Sequence, residues 1–123
     1  MEPLALLLYQ KLLPGSQLVN RLQDLHYRVQ SVGTASGLVE LAENTKPMLI
    51  LVDLGNAMPD LINEVRRLRE NEGTRHLPVI AFGVPDGSGK QEAALAAGVT
   101  LVVSEAAILN HLPQCLSKAL ELD

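Results

Sequence analysis

The sequence predicts an α/β fold: one parallel β-sheet with helices on both faces, a three-layer sandwich. Three observations carry this. Apolar runs of strand length alternate with helical patterns along all 123 residues. The central run, LILV at 49–52, is apolar throughout, as a strand covered on both faces must be. Strict alternation of strand and helix implies parallel strands, and right-handed crossovers then leave few topologies.

The elements follow in order. The first strand is LALLLY at 4–9. Pro14-Gly15-Ser16 punctuates the chain, and Ser16 is the expected N-cap of the first helix. Leu18, Leu22 and Leu25 form its apolar stripe. The second strand is short, at 28–32, and the second helix spans 36–44 with Leu38, Leu41 and Ala42 facing inward. Lys46-Pro47 breaks it before the third strand at 48–52.

The third helix is expected at 59–71, with Leu61, Ile62, Val65 and Leu68 inward and Glu64, Arg66, Arg67, Arg69 and Glu70 mostly on the wet side. Gly73 has the place of a C-terminal stop. The fourth strand is 78–82, the Ala-rich fourth helix 90–97 is ended by Gly98, and the fifth strand is 100–103. Leu109, Leu112, Leu116 and Leu120 mark a fifth and last helix. Pro113 falls inside that pattern, so the regular helix should start near Asn110, with a separate turn before it.

Composition narrows the function. The length suits a single domain, 1–123, and 47% hydrophobic residues suffice for a core. No apolar run approaches the roughly eighteen residues of a membrane span. The N-terminal MEPLALLLYQKLLPG has an acid where a secretory leader carries positive charge, so it reads as a strand and the chain as cytoplasmic. The single cysteine, Cys115, fits a reducing compartment and reads as a buried structural thiol. A net charge of −4 and only 2% aromatics argue against a nucleic-acid partner.

In open parallel sheets, function sits beyond the carboxyl ends of the strands. That directs attention to Tyr9, Gln10 and Lys11, to Asp53, to Gly83 and to Ser104. Asp53 ends a buried run, and an unpaired charge there is costly. It reads either as a chemical group or as a cap accepting N–H bonds from Gly55-Asn56, with Lys11 a possible counter-ion.

Other motifs are weaker. PDGSGK lies between a strand and a helix, but Val84 stands where a phosphate loop needs Gly, and Gln91 where it needs Ser or Thr. His26, His76 and His111 have no metal-ligand spacing. RRLRENEGTR reads as a solvated face of mixed charge.

Several phrases together resemble the receiver domain of bacterial two-component response regulators. LILVDL is similar to its third strand and phospho-accepting aspartate, and LPVIAFG to its fourth strand. AALAAGVTLVVSE is similar to its fourth helix and fifth strand, and RLQDLHYRV to its first helix and second strand. The resemblance covers almost the whole chain. It implies the flavodoxin-like (βα)5 fold with strand order 2-1-3-4-5.

It also implies a site, carried over residue by residue. The family's magnesium-binding acid pair falls on Tyr9 and Gln10, neither a carboxylate. The phospho-accepting aspartate is retained as Asp53. The hydroxyl position falls on Gly83, and the lysine position on Ser104, followed by Glu105 instead of the usual Pro. Met58-Pro59 stand further from Asp53 than the family's Met-Pro pair.

A phosphoryl group at Asp53 would lack metal shielding and its main charge partner. The expected protein is therefore a degenerate receiver, a pseudo-receiver without magnesium or other cofactor and without enzymatic activity. It would act through protein contacts with a histidine kinase or an output domain. A homodimer through the fourth helix, fifth strand and fifth helix is the other expected contact. The small side chains of KQEAALAAG suit that face, though they also suit tight packing on the sheet. Two alternatives stand beside it: a working receiver phosphorylated on Asp53, and a small-molecule sensor using the crevice near Gln10, Gly83 and Ser104.

Overall fold

The computed structural model describes residues 3–8, 12–32, 37–53, 61–83 and 90–121. Five parallel strands form one sheet: β1 (Leu4–Leu8), β2 (Arg28–Val32), β3 (Leu49–Asp53), β4 (Val79–Phe82) and β5 (Leu101–Val103). Their order is β2-β1-β3-β4-β5, the order expected. Among the described residues, one helix follows each of the first four strands and two follow the fifth: α1 (Leu12–Asp24), α2 (Leu38–Thr45), α3 (Leu61–Glu70), α4 (Lys90–Ala97), α5 (Glu105–Asn110) and α6 (Leu112–Glu121).

The sheet divides the core in two because successive strand residues point to opposite faces. Leu6, Leu8, Ile50 and Val52 pack with Leu38, Val65 and Leu68 of α2 and α3. Ala5, Leu7, Leu49 and Leu51 pack with Leu18, Leu22, Leu112 and Leu116 of α1 and α6. Central β3 is buried along its length, which explains its unbroken apolar run.

Several local expectations fail for identifiable reasons. Helix α1 begins at Leu12, so Ser16 lies inside it and is not its N-cap. Pro14 is third in the helix, where its missing N–H would have had no intrahelical partner. Leu25 is 36% exposed because the helix ends at Asp24 and the stripe ends with it. The turn closes with His26 at φ 69 while the Tyr27 N–H donates to the Leu22 carbonyl over 3.0 Å. Met48 stands before β3 and is 43% exposed.

Gly73 is not a left-handed stop. Helix α3 ends at Glu70, and Asn71 Oδ1 accepts the Gly73 N–H over 2.9 Å. Glu64, assigned to the wet side, is buried with Leu61 and Val65. The last helix is two helices, which corrects the expected five to six. Ser104 caps α5, and His111 separates α5 from α6 with φ −129 and ψ 36. Pro113 is second in α6, again in a first turn.

Arg69 is the largest departure from a solvated face. Its Nε donates to the Gly98 carbonyl over 2.8 Å, Nη1 to the Arg75 and Leu77 carbonyls over 2.6 and 2.7 Å, and Nη2 to Thr100 Oγ1 over 3.1 Å. The guanidinium fork thus ties the end of α3 to the segments entering β4 and β5.

Candidate functional site

Register places the strand ends in rows. Leu8 lies beside Val52, Val52 beside Ala81, and Ala81 beside Val102. The next row holds Asp53 beside Phe82 and Phe82 beside Val103. One residue further come Gly83 and Ser104. The sheet therefore brings Asp53, Gly83 and Ser104 to one edge, the carboxyl ends of β3, β4 and β5. Tyr9, Gln10 and Lys11 lie outside the described residues, as do Gly55-Asn56, Met58-Pro59 and the VPDGSG loop.

Asp53 is 4% exposed. By alternation it shares the sheet face of Leu49 and Leu51. A carboxylate this buried is kept only with compensating contacts, and Asp53 does make interactions with its surroundings.

Its neighbours in the row are shaped by backbone needs. Gly83 has φ 76, a left-handed conformation that side-chain-bearing residues rarely adopt. Ser104 is extended, with φ −74 and ψ 161, and its Oγ accepts the Ala107 N–H over 3.0 Å. That hydroxyl is the N-cap of α5, and Glu105 adds favourable charge in the first turn. So the β4 exit carries no side chain, and the β5 exit carries a short hydroxyl that accepts a bond from its own helix.

The remaining candidates separate. His26, His76 and His111 are exposed at three different turns. Among the described residues, no three His, Cys, Asp or Glu side chains are grouped to hold a metal ion. Cys115 is buried, with Sγ 3.9 Å from the Ala107 carbonyl oxygen. Burial pushes its thiol up, partly offset by Lys118. No helix among the described residues is long and apolar enough to cross a membrane.

The residues that sequence reasoning missed are charged. Glu64 Oε1 accepts from Arg67 Nη1 over 2.9 Å, while its buried Oε2 has no hydrogen-bond partner. Arg67 also approaches Glu40 at 3.8 Å, linking α2 to α3. No sequence pattern marked Glu64, and none marked the carbonyls that Arg69 meets, which all lie outside its own helix.

No family model matches the chain, and no curated protein is similar to it in sequence. Solved structures do match. The receiver domain of the sensor histidine kinase PA1611 from Pseudomonas aeruginosa PAO1 has a TM-score of 0.85 at 24% identity, covering 98% of this chain and 99% of that chain. That structure holds a magnesium ion in its active-site cleft. A response regulator from Thermotoga maritima has a TM-score of 0.80 at 16% identity, covering 98% and 99%. A LuxR-family two-component response regulator from Aurantimonas sp. SI85-9A1 has a TM-score of 0.80 at 19% identity, covering 98% and 86%. The chain has the receiver-domain, flavodoxin-like fold.

Proposed function

We propose that this chain is a receiver-type regulatory module of two-component signalling that works through protein contacts, without phosphoryl transfer at Asp53. One observation carries the reading: Gly83 and Ser104, which flank the Asp53 row, are both committed to local backbone structure. Gly83 supplies no hydroxyl and Ser104 no ammonium, the two groups a phosphorylated aspartate would need at these strand ends for charge-assisted recognition. Magnesium does not fit the donor set either. The sequence offers Asp53 with Tyr9 and Gln10, a single carboxylate for a cation that prefers several oxygen ligands.

Its partners would be a histidine kinase or an output domain in the bacterial cytoplasm, and the molecule would have no enzymatic activity. A homodimer would use α4, β5 and the last helical segment, α5 with α6. Leu95 is 47% exposed on α4, Ala93, Ala96 and Ala106 are exposed, and β5 is a half-buried edge strand. An apolar patch of small residues beside an open sheet edge suits a second copy of the same surface.

The second reading is a receiver phosphorylated on Asp53, favoured by that residue's burial at the end of β3. Incubation with acetyl phosphate and magnesium, followed by intact-mass measurement, separates the two. The proposal expects no mass gain. A gain of one phosphoryl group that disappears in Asp53→Asn would overturn it. Light scattering tests the dimer, with Leu95→Glu expected to leave only monomer.

A further inference from the structure

We draw no further inference here: the strongest candidate, the side-chain cluster of Glu40 and Glu64 around Arg67 between α2 and α3, with Glu64 Oε2 buried and unpartnered, carries nothing because Arg67 already bridges the two acids and nothing in the structure shows what else would bind there.

Discussion

The Arg69 side chain and the Gly98 backbone interlock: Nε donates to the Gly98 carbonyl over 2.8 Å, and a Cβ on Gly98 would fall 2.5 Å from Arg69 Cγ. Gly98 also has φ 117, so glycine there serves both the turn and the close approach of Arg69. Through this pair, α3 is anchored to the α4–β5 turn across 29 residues of sequence. Arg69→Ala removes one planar fork and leaves several carbonyls without their donor. The expected loss is about 2–4 kcal/mol in urea denaturation. Arg69→Lys should recover less than half of it, because an ammonium cannot reproduce the fork. Gly98→Ala should cost at least about 1–2 kcal/mol by strain and contact together.

The exits of β4 and β5 give a second prediction. Placing Thr at the β4 exit or Lys at the β5 exit works against the local backbone. Gly83→Thr places a β-branched residue at φ 76 and should cost about 1–2 kcal/mol. Ser104→Lys removes the α5 cap and should cost about 1 kcal/mol, whereas Ser104→Asp keeps a cap acceptor and should be nearly neutral. Thermal melts of the three variants check this. An unchanged melt for Gly83→Thr would mean that the turn can refold around a side chain and that the β4 exit is not committed.

The sheet was legible in the sequence because buried parallel strands are apolar on both faces, and runs such as Leu49 to Val52 alternate with helical patterns. Asp53 was legible for the same reason, as the acid that interrupts such a run. Helix limits were less so. Pro14-Gly15-Ser16 reads in sequence as the lead-in to a helix capped by Ser16, yet a first helical turn tolerates Pro, and the helix starts before it. Arg69 and Glu64 were illegible because charge on a helix is normally read as solvent. Their contacts depend on tertiary packing, as with Thr100, which is 31 residues from Arg69. At the strand ends, Gly83 and Ser104 were visible, but the reason each fits was not. That reason lies in a left-handed φ and a capped helix, which only the backbone shows.

Glu64 carries the third prediction. It is 7% exposed, and its Oε2 is buried without a partner. Its ion pair is with Arg67, whose side chain is 52% exposed and therefore screened by water. The cost of desolvating the carboxylate should then exceed what the pair returns. Glu64→Leu is expected to leave stability unchanged or to raise it by up to about 1 kcal/mol. Glu64→Gln should be close to neutral, since it removes the charge and keeps the shape. Urea midpoints decide the matter. A loss above about 1.5 kcal/mol in Glu64→Leu would show that the carboxylate is net favourable where it stands.

The fourth prediction concerns alkaline pH. Burial pushes the Cys115 thiol up, partly offset by Lys118, and burial also raises the Tyr27 phenol. A raised value in the fold means that the folded chain holds these protons more tightly than the unfolded chain. The resulting stability is fully present below the unfolded thiol value, about 8.5, and is lost as pH rises through the folded value. Denaturation midpoints should therefore fall from about pH 8.5 upward, first through Cys115 and then through Tyr27. Cys115→Ala should lower stability by about 1 kcal/mol at neutral pH and flatten the first part of the alkaline decline. At about pH 8 the thiol should react with a disulfide reagent far more slowly in the native protein than in urea, because reaction needs both exposure and thiolate. Equal rates in the two conditions would place Cys115 outside the core that α5 and α6 close over it.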